Sequence, residues 1–326
     1  MSLESIFDLL DQTSAETPAA GASAPSPKLP RYALDGRPIV WNADRSACTF
    51  DSTAAEYHSD RHAVSASALR KLARSPAHYR ASVTLPRKQT ATQRFGTAFH
   101  ACVLERARFD LDYVVWQSRR SGKAWKIFEA SNRCKEVLTQ EEMDAVRACT
   151  REALATVAVR SDDGAEFTLN DLVLLGEKEK NYYWVDRETG LTCKARLDLT
   201  CQHVTFDLKT TDDARQESFT RQATADGYDI QAAFYTRARV AFDPSLTGNS
   251  PFLFVVSEAK APHATLVHRA DRDEFTAFGD KKVTKLMGLY KRCLASGRWP
   301  AYDAQSSTSI KLPLYARYPS AANLNI

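Results

Sequence analysis

The sequence predicts an α/β fold, a mixed sheet flanked by helices with a helical N-terminal portion. Two changes of pattern carry this. Apolar residues recur at three- and four-residue steps through residues 65–158, then give way to short alternating runs over residues 172–209. After that, helix, two strands and a long last helix follow, an order typical of a sheet covered by helices.

Residues 1–30 read as a flexible tail and linker. Leu3, Ile6, Phe7 and Leu10 make a short apolar patch at helical spacing, followed by an Ala/Ser/Pro/Gly stretch that cannot bury a core. Residues 31–326 read as a single domain. Ser65–Ala73 is a capped helix, and Ser75-Pro76 is a cap followed by proline at the first helical position. Phe95–Glu105 is a third helix, and Ala124–Ala158 holds two more with a break near Leu138-Thr139. Leu172–Leu175, Glu177–Asp186, Leu191–Thr200 and Val204–Lys209 are expected strands. Phe219–Val240 is expected as helix, Phe252–Ser257 and Ala264–His268 as strands, and Arg272–Ala295 as the last helix.

The chain has 326 residues, 44 Lys+Arg against 40 Asp+Glu and 44% hydrophobic residues, the composition of a globular protein with a sizeable core. No apolar run approaches the roughly 18 residues of a membrane span. Glu4 and Asp8, with no early Lys or Arg, argue against a secretory signal. Seven cysteines form no CxxC pair, as expected of reduced thiols in a cytoplasmic protein. The same scatter excludes structural zinc, and the lack of GxxxxGK[ST] or GxGxxG argues against a bound nucleotide. The charge is uneven. Residues 58–135 hold 16 Lys+Arg against 5 Asp+Glu, so this stretch is +11 and the remainder −7. A basic segment beside an acidic remainder suits a polyanion-binding face next to a carboxylate site.

The chemistry concentrates in Arg196-Leu197-Asp198 and Phe206-Asp207-Leu208-Lys209-Thr210. Residues two apart on a strand share a face, so Asp207 and Lys209 project together while Leu208 points to the core. With Asp198 on the neighbouring strand, two carboxylates form a site for Mg²⁺, with Mn²⁺ as a substitute, and the ammonium can position a water. His100 lies on an otherwise apolar helix. Gln231 and Tyr235 sit at i and i+4 on another, where they can flank the site.

In order and spacing, GTAFH, the Asp, DLK and QAAFY resemble the PD-(D/E)xK nuclease superfamily, with its restriction-endonuclease-like core. The likeness is to the Q-x-x-x-Y branch and the RecE-like exonucleases (exodeoxyribonuclease VIII type). VSASALRKLARSPAHYRA resembles that family's opening segment, and SGRWPAYD with KLPLYA its closing one, so the likeness spans about residues 57–316. It implies that His100, Asp198, Asp207 and the Leu208 carbonyl bind the metal. It also implies that Lys209 activates water and that Gln231 and Tyr235 support the site. Asp207 stands where the wider superfamily has Glu. Glu177 is a candidate extra acid, with Glu105, Glu179 and Asp186 as competitors.

Arg119, Arg120, Lys123 and Lys126 are candidates for gripping DNA phosphates, with Trp125 available for stacking. The resemblance further implies a 5′→3′ exonuclease on double-stranded DNA ends that exposes 3′ single strands for recombination. A homo-oligomer, with a tetrameric ring as the expected form, and a single-strand annealing partner go with it. Some relatives carry an iron–sulfur cluster; a lone cysteine after Cys201 excludes one here. Two rivals stay open: a structure-specific or restriction-type endonuclease, and a non-catalytic DNA-binding scaffold.

Overall fold

The computed structural model describes residues 39–85, 89–161 and 164–302. The apolar patch, the linker and the KLPLYA segment lie outside these residues. The chain opens with β1 (Val40–Trp41), β2 (Ala47–Phe50) and the short helix α1 (Ala54–Ser59). Helices α2 (Ala66–Arg74) and α3 (Pro76–Thr84) follow as expected. Ser65 caps the first and Ser75 the second, with Pro76 at its first position. Helix α4 (Ala91–Leu104) starts four residues before its apolar repeat, because Thr90 and Gln93 form a capping box.

Next come α5 (Arg106–Asp112), β3 (Tyr113–Val115), α6 (Gly122–Ser131), β4 (Glu136–Leu138) and α7 (Gln140–Ala155). The expected helix break near Leu138 is thus a strand, β4, paired in parallel with β3. β5 (Val157–Arg160) and β6 (Glu166–Thr168) form a second small ladder. Leu172–Leu175, expected as strand, belongs to helix α8 (Leu169–Leu175). A Thr168–Asp171 capping box starts this helix, and Leu169 and Leu172 bury one face of it. Leucine is a strong helix former, and alternation over four residues was too short to overrule it.

Strands β7 (Glu177–Val185), β8 (Thr192–Cys201) and β9 (Val204–Thr211) form the meander expected from the sequence. The long helix after them is two helices, α9 (Gln216–Asp226) and α10 (Tyr228–Phe242), divided at Gly227 with φ +69°. A left-handed residue ends one helix, and glycine adopts it without steric cost. β10 (Phe252–Glu258), β11 (Thr265–Arg269), a π turn and α11 (Ala277–Ser296) complete the described fold.

The main sheet has seven strands in the order β1-β2-β7-β8-β9-β10-β11. Only β9 and β10 pair in parallel, as a crossover through α9 and α10 allows. One core joins Phe99, Cys149, Leu169 and Leu172 from α4, α7 and α8 to Phe206, Leu208 and Val255. A second joins Leu69, Phe234 and Met287 from α2, α10 and α11 to Trp184, Ala195 and Leu197. The mixed sheet with helices on both faces is the predicted fold class.

Candidate active site

The site begins where the central ladder fails. Pairing runs Lys178 to Leu199 and Lys180 to Leu197, but Glu179 and Asp198, which face each other between them, do not pair. Glu179 has φ +53°, in the left-handed region that a glutamate seldom adopts. On the other side, β8 and β9 pair only from Leu199/Phe206 to Cys201/Val204, so pairing stops just before Asp198 and Asp207. Leu197 belongs to one core cluster and Leu199 to the other, a loss of the period-2 alternation at Asp198. Glu179, Asp198 and Asp207 therefore form one row across three adjacent strands.

Asp207 is almost fully buried, and its two oxygens have separate partners. Lys209 Nζ pairs with Oδ2, and Gln231 Nε2 donates to Oδ1 at 2.7 Å. Lys209 also lies 4.8 Å from the Tyr228 ring centroid and 5.9 Å from that of Phe254. Tyr235, one turn beyond Gln231, has its phenol held well above the ordinary value by burial first. Tyr57, Asp207 and Asp198 push it further. The i, i+4 pair on α10 thus flanks the acids, as its spacing implied.

His100 reaches the row from the opposite helical layer, its Nδ1 3.4 Å from Asp198 Oδ2. Burial, and then the charge of Lys209, lower its pKa, which favours neutral imidazole. Glu179, Asp207 and the Leu208 backbone oppose that shift. Asp198 is raised to about 7 by burial and by Asp207, with Lys209 and the Leu208 N–H opposing. Glu179 is raised by burial and by Asp198.

The glutamate that the structure brings to His100 and Asp198 is Glu179, whereas Glu177, the candidate extra acid, lies apart from them. Glu177 is exposed and paired with Lys180, whereas Glu179 joins His100 and Asp198 in a group whose ligand atoms lie within 4.8 Å of one another. The two glutamates are two residues apart on one strand, and the pairing register alone brings the second into line. Arg196, which sequence reasoning did not single out, holds Glu179 by an ion pair. It is anchored in turn on Ser52 O at 2.7 Å and Asn181 Oδ1 at 3.3 Å.

The sequence profile of a PDDEXK-like domain of unknown function (DUF3799) matches residues 65–311. The chain belongs to this family. The crystal structure of a candidate exonuclease from Eubacterium rectale is similar in fold. Its TM-score is 0.51, with 85% of this chain and 99% of that one covered at 11% identity. No curated protein matches the sequence significantly.

A PDDEXK-like site implies a divalent ion, and the donors present fit one. An imidazole nitrogen and two carboxylates converge, a third carboxylate stands next in the row, and, beyond burial, Asp207 raises the pKa of Asp198 and Asp198 raises that of Glu179. Among the described residues no cysteine joins this group. A cleft of about 1000 Å³ between the Asp186–Arg187 turn, α10 and the start of α11 contains none of these side chains. No helix of the described residues is long and apolar enough to cross a membrane.

The basic cluster lies to one side of this DUF3799 site. Arg119, Lys123 and Lys126 are exposed, and α6 buries none of its residues. Arg120 is engaged within the protein, donating to Val137 O at 2.8 Å and lying 3.8 Å from Glu142. Glu142 also meets Arg94 at the start of α4, six residues before His100. Trp125 packs with Trp116 and Phe128 and under Arg120.

Proposed function

We propose that the chain is a Mg²⁺-dependent deoxyribonuclease that hydrolyses linear double-stranded DNA from its ends, 5′→3′, exposing 3′ single strands for recombination. The observation that carries this reading is the row Glu179–Asp198–Asp207 with His100 at one side and Lys209 beside it, in a PDDEXK-like chain. The resemblance of the motifs to RecE-like exonucleases supports the choice of exonuclease over endonuclease. It also supports a ring-shaped homo-oligomer and a single-strand annealing partner.

A divalent ion bound among His100, Asp198, Asp207 and the Leu208 carbonyl would supply positive charge to the scissile phosphate. The chain's own groups do the rest. Lys209 is braced between the Asp207 carboxylate and the Tyr228 ring, which fixes its ammonium to align the attacking water. The water oxygen bonds to phosphorus and its proton passes to solvent, the P–O3′ bond breaks and the 3′-oxygen of the released nucleotide takes up a proton, so the shortened strand carries the scissile phosphate as its new 5′-phosphate. Gln231 holds Asp207 in place through Oδ1. Arg119, Lys123 and Lys126 grip neighbouring backbone phosphates, and Arg120 orders the loop before α6.

The test compares end-labelled linear duplex with covalently closed circular DNA in Mg²⁺. Loss of the linear form alone, with 5′-label released first, is expected. Cutting of the circle would make the protein an endonuclease. Binding without cleavage of either form, in Mg²⁺ or Mn²⁺, would leave only the DNA-binding scaffold. Asp207→Ala and Lys209→Ala should each abolish hydrolysis.

A further inference from the structure

One aromatic ring carries two cations beside the site. Lys209 Nζ lies 4.8 Å from the Tyr228 centroid, and the Arg70 guanidinium carbon lies 5.0 Å from the same point. The two charges are therefore no more than about 10 Å apart. They come from distant parts of the chain, Arg70 from α2 and Lys209 from β9, and the start of α10 brings them together. Gly227 makes this approach feasible, because a Cβ there would sit 3.3 Å from Arg70 Cγ.

Arg70 is only partly used within the protein. Its Nε donates to the Asp226 carbonyl, which caps the end of α9. Its terminal nitrogens make no hydrogen bond or ion pair with a described residue. A half-buried guanidinium with two idle nitrogens, stacked on a ring, is prepared for an anion that presents two oxygens side by side, and phosphate supplies them. Lys209 serves the reacting phosphate, so the group within Arg70's reach is the next phosphate along the same strand.

We propose that Arg70 grips the phosphate adjacent to the scissile one, so that this site works on a nucleic-acid strand and poorly on an isolated phosphodiester. The assignment rests on the nuclease reading above and extends it to a second phosphate subsite. Tyr228 is the shared platform, setting the spacing between the two cations.

The experiment measures kcat/KM for wild type and Arg70→Gln on duplex DNA and on bis(4-nitrophenyl) phosphate, which has no second phosphate. The ratio of DNA to small-diester activity should fall at least about 10-fold in the variant, a loss that one charge-assisted phosphate contact can account for. Equal falls on both substrates would make Arg70 a structural cap of α9 and overturn the proposal. In a second arm, DNA carries a neutral methylphosphonate on one or the other side of the scissile phosphate. At one position the wild type should lose the same factor, and Arg70→Gln should lose little more. Additive losses at both positions would overturn the proposal. A wild type that cleaves neither substrate in Mg²⁺ or Mn²⁺ would overturn the nuclease reading, and the subsite with it.

Discussion

Asp198 Oδ2 accepts the Leu208 backbone N–H at 2.8 Å, putting a side chain where the β8–β9 ladder has stopped. The carboxylate thus closes a gap in the sheet and presents charge to the candidate metal site. The two roles separate by substitution. Asp198→Asn keeps an acceptor for Leu208 N–H and removes a buried like charge, so its melting temperature should match or exceed that of the metal-free wild type. Its nuclease activity should fall at least about 100-fold, the scale of losing a preorganised charged group. Asp198→Ala should lose the activity and also about 1–3 kcal/mol of stability, because a buried donor is left without a partner. Urea unfolding beside a DNA digestion assay reads both effects.

The register places Glu179, and not Glu177, with His100 and Asp198. Glu179→Gln should raise the Mn²⁺ concentration needed for half-maximal activity about 10-fold, as removal of groups around a metal commonly does. Glu177→Gln should leave that midpoint in place, since Glu177 only pairs with Lys180 on the surface. A metal titration in which Glu177→Gln gives the larger shift would contradict the row of acids.

Gly279, on α11, faces the α10 backbone so closely that a Cβ would lie 2.0 Å from Asp229 O. Backbone cannot give way as a side-chain tip can. Gly279→Ala should therefore cost about 1–3 kcal/mol of stability. It should also lower activity, because α10 carries Gln231 two residues beyond Asp229. An alanine variant as stable as wild type by urea unfolding would show that the two helices can separate there.

Protons and a divalent ion compete at Asp198. Its folded value, about 7, is raised above the ordinary 3.8 by burial first and Asp207 second. This group's stabilising contribution in the metal-free protein is full below its unfolded value, and it is lost as pH rises through about 7. Burial lowers the pKa of His100, which favours its neutral form. Above about pH 7 a divalent ion bound at the candidate site would replace the lost proton. Mg²⁺ or Mn²⁺ should therefore raise the melting temperature more at about pH 8 than at about pH 6. Equal shifts at both values, by thermal denaturation after EDTA treatment, would place the ion elsewhere.

Which candidate side chains share a face was legible in the sequence from local periodicity, while their roles came only from the resemblance to RecE-like exonucleases. Asp207 and Lys209 share a face since strand residues alternate, and Gln231 and Tyr235 share one since a helical turn is 3.6 residues. The strands around them followed from alternation, and the starts of α2 and α3 from the capping residues Ser65 and Ser75. Leu172–Leu175 did not, because four leucine-rich residues fit either period. The division of α9 from α10 is marked by Gly227, which lies inside the expected helix Phe219–Val240.

The sequence by itself determined the fold class, the order of the motifs and the pairs of side chains that travel together on one element. Only the tertiary structure decided which partners meet across elements. Glu177 and Glu179 are equivalent to a period of two, and the β7–β8 register brings only Glu179 opposite Asp198. Arg70 and Lys209 are 139 positions apart in the sequence and meet on Tyr228 because α2 packs against α10. Periodicity is a property of a few consecutive residues. Register and packing are set by the burial of whole faces at once, so no short stretch of chain specifies them.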